Sequence, residues 1–222
     1  MIEYFIKYHG KLEKALLEHI QIVGITLVIS ILLALAVTLL IKDSKKISKW
    51  VLQACNVIYS IPSLALFAIL IPLTGLGMKT AVVVLVAYNQ YILVRGFTEG
   101  LQMVDKAVME AAYGMGMSRM QIFTRVQFPL ALDSFVAAIQ IAIISTIGIA
   151  TIGATIGAGG LGSVLFDGMR TQNTVKILWG TILSVLLVLA ANAILNYAVK
   201  RVNRRLHEGK KTGNKNRKAD KI

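Results

Sequence analysis

Tyr59, Tyr88, Asn89, Gln90 and Tyr91 stand inside otherwise apolar stretches of this 222-residue sequence. Aromatic faces are the usual way to hold a quaternary ammonium group. Polar groups surrounded by hydrocarbon face either a neighbouring helix or a water-filled route. Both readings are open for Asn89 and Gln90, and for Ser145 and Thr146 further on. Pro62 removes a backbone donor and bends a helix; Ser60 and Ser63 flank it and can satisfy the freed carbonyl. Gly157-x-Gly159-x-x-Gly162 has the spacing of a dinucleotide fingerprint, but that fingerprint follows a strand, opens a helix and has an acidic partner about 20 residues on. Here it follows a long apolar run, so Gly157, Gly159, Gly160 and Gly162 read as a glycine-rich external turn. No G-x-x-x-x-G-K-[ST] occurs, so the chain has no phosphate loop for ATP. His9, His19 and His207 are scattered and Cys55 is the single cysteine, which leaves neither a metal cluster nor a disulfide framework.

The elements that must position these groups follow from composition. The chain is 56% hydrophobic and 16% charged, with a mean hydropathy of +0.68. A soluble domain runs about 45–50% apolar and about 25% charged. A net charge of +13 would suggest nucleic acid, but the apolar excess excludes a nucleic-acid partner and disorder alike. A bilayer core needs about 20 apolar residues in a helix. Five segments qualify, at about 20–41, 51–73, 80–100, 134–156 and 177–199. A period-2 alternation is missing, which argues against a barrel. The expectation is an all-α membrane protein with five transmembrane helices. Residues 1–16 form a leading segment, either lying along the interface or solvated. Residues 200–222 form a basic tail, either a plain topology anchor or a ligand for anionic membrane lipid.

Lys and Arg accumulate on the cytoplasmic side. Residues 42–50 and 200–222 carry +11 of the net charge. With an odd number of spans, the N-terminus is expected outside and the C-terminus in the cytoplasm. The connections 42–50 and 95–133 are then both cytoplasmic. Within the second of these, Asp105 is expected to cap a helix over about 106–114. Gly114 and Gly116 end it, Ser118 caps a second short helix over 119–127, and Pro129 marks its end.

In the fourth span Ala138, Ala142, Thr146, Ala150, Ala154 and Ala158 recur every four residues. Such a stripe lets membrane helices approach closely. Asn192 and Asn196, one turn apart on the fifth span, read as glue between helices.

Glu110-Ala111-Ala112, three residues, Gly116, nine residues, then Val126-Gln127-Phe128-Pro129 resembles the EAA loop of type I ABC-importer permeases, with Val126 and Phe128 in its two apolar positions. Glu18-His19, the run Ser60-Ile61-Pro62-Ser63-Leu64-Ala65-Leu66 and the run Ile156-Gly157-Ala158-Gly159-Gly160-Leu161-Gly162 extend the resemblance over residues 17–199. They are similar to the branch that imports osmoprotectants such as glycine betaine, carnitine and choline. Methionine-type permeases share the five-span plan and a glycine-rich segment. The chain departs from the family pattern at Asp133, where a proline is usual, and at Gly96, where an asparagine is usual.

The resemblance implies a methionine-permease-like fold and a transport subunit with no catalytic residues and no cofactor of its own. ATP and Mg would sit on a separate ATP-binding subunit, present in two copies. A second permease subunit, identical or related, would complete the pore, and an extracellular solute-binding protein would deliver solute. The location implied is the bacterial plasma membrane. Residues 101–129 would be the coupling loop. Glu110, Ala111, Ala112, Gly114, Gly116 and Pro129 would shape it, and Met117, Ser118, Arg119, Met120 and Gln121 would contact the ATPase. Ser60, Pro62, Ser63, Tyr88, Asn89, Gln90, Ser145 and Thr146 are the candidates for the translocation path. A methionine or other amino-acid permease is the alternative within the class. A stand-alone secondary transporter would need ionisable residues at the centres of its spans, and a polybasic scaffold would act through its tail.

Overall fold

The structure, a computed structural model, describes the backbone of residues 2–219 and the side chains of residues 3–201. Every regular element among them is helical: α1 (Ile2–Ile41), α2 (Lys45–Ser60), α3 (Ser63–Thr74), α4 (Met78–Gln102), α5 (Lys106–Gly114), α6 (Arg119–Ile122), a π-helix (Phe123–Gln127), α7 (Phe128–Gly153), a 3₁₀ turn (Ala154–Ile156), α8 (Leu161–Arg170) and α9 (Thr174–Ala219). Lipid offers the backbone no partner, so each crossing segment must bond its own amides. α1, α4, the run from α6 through α7, and α9 are each long and apolar enough to cross.

The expected second span is broken. α2 and α3 meet at a 97° bend. Pro62 has no amide hydrogen, and Ile61 and Pro62 are extended, with ψ of 130° and 135°. The pair still reaches from one end of the bundle to the other. It begins beside the end of α1, where Ser44 caps α2, and it finishes beside the start of α4, where the Thr74 and Thr80 hydroxyls meet at 2.6 Å.

Within the leading segment 1–16, α1 begins at Ile2 and reaches the first span across a kink at Tyr8 (φ −123°, ψ 16°). Phe5 stacks on Trp179 of α9 at 5.0 Å, which fixes that end. Two further expectations are corrected. Pro129 does not end a helix. It is the second residue of α7, directly after the π-helix, where the Phe128 amide already reaches back to the Phe123 carbonyl and the i→i−4 ladder that proline interrupts is displaced. The second loop helix therefore runs through the π-helix into the fourth span without a break. The glycine-rich turn is also shorter than expected, because Gly162 is inside α8. The expected basic tail lies largely outside the described side chains.

α4 lies at the centre, against α1, α2, α3 and α7. The stripe on α7 packs against it: Ala138, Ala142, Thr146 and Ala150 are all buried. A Cβ at Gly96 would stand 2.4 Å from the Ala138 Cβ, so glycine at 96 sets the crossing distance of α4 and α7. Two apolar cores result. One, around Phe67, Leu85 and Ile147, fills the end near the glycine turn. The other, around Leu93, Phe97 and Phe135, fills the end near the coupling loop. α9 presents Leu178, Val185, Leu186, Leu189 and Ile194 outward, as a lipid-facing helix does.

Candidate coupling loop and translocation site

The loop folds as its local chemistry directs. The Ala107 amide donates to Asp105 Oδ1 at 2.9 Å, so Asp105 caps α5. The Gln121 amide donates to Ser118 Oγ at 3.3 Å, and the Ser118 amide donates back to Gln121 Oε1 at 2.9 Å. That reciprocal pair is a capping box on α6. α5 closes with a double bond pattern: the Gly116 amide donates to the Tyr113 carbonyl at 2.9 Å, and the Met117 amide to the Ala112 carbonyl at 3.3 Å. This is the Schellman closure, and it requires the left-handed residue that Gly116 supplies at φ +74°. Gly114 is the last residue of α5 itself.

Ala112 and Ile122 are buried and root the loop, whereas Glu110, Ala111, Ser118, Arg119, Met120 and Gln121 are exposed. Met117 is half-buried. Met103, Val108, Tyr113, Met115 and Met120 are all exposed, Met103 at 80% and Met115 at 73%, so the loop offers large apolar side chains to its surroundings as well as charges. The loop is also wired to the core. Gln127 Nε2 donates to the Leu101 carbonyl at 3.2 Å. The rings of Phe123, Phe128, Phe135 and Phe97 follow one another at 6.1, 5.4 and 4.3 Å. These contacts join the loop to α4 and α7.

The expected path residues separate into two groups. Asn89 and Thr146 do not face an open surface. Asn89 is 1% exposed, and its Nδ2 donates to Thr146 Oγ1 at 2.8 Å and to Ser30 Oγ at 3.3 Å. Thr146 in turn donates to the Ala142 carbonyl at 2.6 Å. The three side chains tie α1, α4 and α7 together. Gln90 is half-buried and donates to the Val86 carbonyl at 3.2 Å. Asn196 accepts from Gln140 Nε2 at 2.8 Å, joining α7 and α9.

The second group, apart from Ser145 on α7, lies at the break. Ser60 and Pro62 are exposed, and Ser63 and Ser145 are half-buried. Ser60 Oγ donates to the Asn56 carbonyl at 2.8 Å. It is the Tyr88 hydroxyl, not a serine, that satisfies the Ile61 carbonyl left open at the bend. Tyr59 lies against both Tyr88 and Tyr91, with centroids at 5.5 and 4.9 Å. Next to them is a cleft of about 510 Å³ between α2 and α4, lined from Asn56 and Tyr91 along to Lys45 and Gln102.

At the opposite end the glycine turn is clamped by α1. The Gly160 amide donates to Glu18 Oε2 at 2.9 Å, and the Leu161 amide donates to His19 Nδ1 at 3.3 Å. His19 is wholly buried, and its Nε2 lies 3.2 Å from the Ile147 carbonyl. A carbonyl only accepts and an amide only donates, so the two partners assign the neutral tautomer with its proton on Nε2. A Cβ at Gly159 would stand 2.4 Å from Glu18, and one at Gly160 would stand 2.8 Å from His19. Beyond the turn, Asp167 accepts from Lys176 Nζ at 2.7 Å and from Arg170 Nη2 at 3.1 Å. The Lys176 bond first, and then Arg170, holds its carboxyl below the usual range.

One comparison decides the assignment: residues 26–208 match the family described as the binding-protein-dependent transport system inner membrane component. The chain belongs to that family. It is thus a transport permease without an ATPase motif. The permease is 30% identical over 204 residues to the carnitine transport permease protein OpuCD of Listeria monocytogenes serotype 1/2a, covering 91% of this chain and 92% of that one. It is 34% identical over 160 residues to the glycine betaine/carnitine/choline transport system permease protein OpuCD of Bacillus subtilis strain 168, covering 72% and 70%. It is 39% identical over 153 residues to the ergothioneine transport permease/ergothioneine binding protein EgtU of Helicobacter pylori strain G27. That match takes in 69% of this chain but only 28% of the longer protein's length. The fold is that of the inward-facing MetNI methionine ABC transporter, with a TM-score of 0.78 at 24% identity, covering 90% of this chain and 97% of that one.

Proposed function

We propose that the permease forms the membrane channel of an ATP-driven importer for small trimethylammonium solutes, with glycine betaine, carnitine and choline first among them. The relatives named above are carnitine, choline, glycine betaine and ergothioneine proteins, and all four solutes carry a trimethylammonium group. Two ATP-binding subunits hold ATP and Mg and dock on the 103–122 loops. A second permease subunit, identical or related, completes the route, and an external binding protein delivers solute. The loop end of the bundle faces the cytoplasm, and the glycine turn faces the outside.

The observation that carries this reading is the exposure of Met103, Val108, Tyr113, Met115 and Met120 along the loop. Large apolar side chains left exposed on a loop suit a protein contact, and methionines adapt to a groove. Their aromatic wiring to α4 and α7 gives a docked ATPase leverage on the spans. When ATP draws the two ATPases together, the loops move with them, and the bundles rock to expose the route to the outside; hydrolysis resets them. The route lies along the exposed polar face of α2, where Gln53, Asn56 and Ser60 need a second subunit to cover them.

Co-purification tests the docking. Met115→Asp with Met120→Asp puts two charges on the loop and should cost most of the ATPase that accompanies the tagged permease in detergent. Full retention of the ATPase by this variant sinks the docking assignment.

A further inference from the structure

The end of α1 and the start of α7 enclose an apolar groove of about 330 Å³. Leu35, Thr38 and Leu39 of α1 form one wall, and Phe123, Phe128 and Phe135 form the other. The groove lies along the last two turns of the first span, and Leu32 and Leu39 are exposed on the same stripe of α1. Two polar groups accompany it. A threonine inside a helix ordinarily returns its proton to the carbonyl one turn back. Thr124 at the groove does so, donating to the Met120 carbonyl at 2.8 Å. Thr38 Oγ1 is buried and has no partner. One turn beyond Thr38, Lys42 extends over the Phe123 ring, with Nζ 5.4 Å from the centroid, and makes an ion pair with the exposed Asp43 at 3.4 Å. An ammonium has three donors, so Lys42 can take a second anion. Residues 42–50 hold four lysines against that one aspartate.

We propose that this groove is a binding site for one membrane phospholipid: Lys42 takes the phosphate, Thr38 donates to an ester carbonyl, and one acyl chain fills the groove from Leu39 to Phe135. The order of groups along α1 selects the ligand. Lys42, Thr38 and Leu35 follow one another at about 6 Å and then about 4.5 Å along the helix axis, from the basic end of the span toward its middle. A phospholipid presents its charge, its ester and its hydrocarbon in that same order from the bilayer surface inward. The unpaired hydroxyl gains the acceptor it lacks, which a buried polar group needs. The leucine and phenylalanine walls gain a chain of matching polarity, and a cation at the end of a span meets the phosphates of the bilayer surface. A free fatty acid brings a carboxylate but no ester for Thr38. The bound chain packs against the same rings that join the coupling loop to α4 and α7. The site is independent of which solute the permease carries.

Native mass spectrometry tests the site on the full-length permease, purified with the subunits that accompany it and stripped of lipid in detergent. The probes are dioleoyl phosphatidylglycerol and its ether-linked analogue, which keeps the phosphate and both chains but has no ester carbonyl. The wild type should bind the ester lipid about two- to tenfold more tightly than the ether lipid. Thr38→Val removes only an unpaired hydroxyl, so the fold survives, and it should abolish that difference. Lys42→Gln with Asp43→Asn removes the cation without stranding a carboxylate and should weaken both lipids about fivefold or more. Thr124→Trp, entering from the exposed edge of the groove, should exclude both. Equal binding of the two lipids by the wild type, unmoved by all three variants, means annular lipid only and overturns the site. Separation of paired permease copies by Thr124→Trp, with lipid binding unchanged, makes the groove a contact between subunits and overturns it as well.

Discussion

His19 and Leu161 lie 142 residues apart and are joined by one bond: the first amide of α8 donates to the buried Nδ1 of His19. The bond exists only because residues 157–160 turn back over α1, with Gly157, Gly159 and Gly160 all at positive φ. Glu18 and His19 thus hold the glycine turn as a pair, one through each of two successive amides.

Truncating this clamp should be costly. His19→Ala leaves the Leu161 amide without a partner in an apolar setting, a loss of about 1–3 kcal/mol. Gly160→Ala adds both a left-handed strain and a contact at 2.8 Å with His19 Nδ1. Both variants should lower the thermal midpoint of the purified permease by several degrees. A midpoint within one degree of wild type for both would show that the clamp is not what holds the turn.

The α4–α7 crossing predicts a compensating pair. Gly96→Ala drives a methyl into Ala138 and should cost about 1–3 kcal/mol. Ala138→Gly in the same chain should recover most of it. Thermal unfolding of the two single variants and the double variant gives the coupling directly. Additive losses would mean that the two residues do not meet.

Asn89 predicts a small effect on stability and none on selectivity. Interhelical hydrogen bonds in membranes average about 0.6 kcal/mol and reach about 1.7. Asn89→Leu should therefore lower the thermal midpoint modestly and leave the ratio of glycine betaine to choline uptake unchanged. A changed ratio would return Asn89 to the solute path.

The local fold of residues 105–122 was largely legible in the sequence. Asp105 and Ser118 advertise helix starts because short polar side chains cap free amides. Gly116 advertises a stop because left-handed backbone favours glycine. The stripe from Ala138 to Ala150 announced its close packing by spacing alone. What was not legible depends on contacts between distant segments. Pro62 announced a bend, but the 97° angle rests on α4, whose Tyr88 caps the open Ile61 carbonyl. Pro129 was misread because the same residue that ends one helix can open another, and only the π-helix before it shows which. Asn89 read equally well as lining or glue until Ser30 and Thr146 were found around it. Glu18 and His19 gave no local sign of the turn they hold.

Gly116 offers a second view of the loop. Gly116→Val forces a branched residue into φ near +74° and costs about 1–2 kcal/mol. The Schellman closure should then open and displace Tyr113, Met115 and Met120. The ATPase retained on the tagged permease should fall by a factor of about 5–30. Retention at the wild-type level would show that the turn does not shape the docking surface.

The most direct test of the central claim is glycine betaine uptake into proteoliposomes holding the permease, its ATPase and its binding protein. Uptake should require ATP on the loop side, persist when ion gradients are collapsed, and vanish in the Met115→Asp, Met120→Asp variant. Uptake that proceeds without ATP and follows an ion gradient would contradict the account.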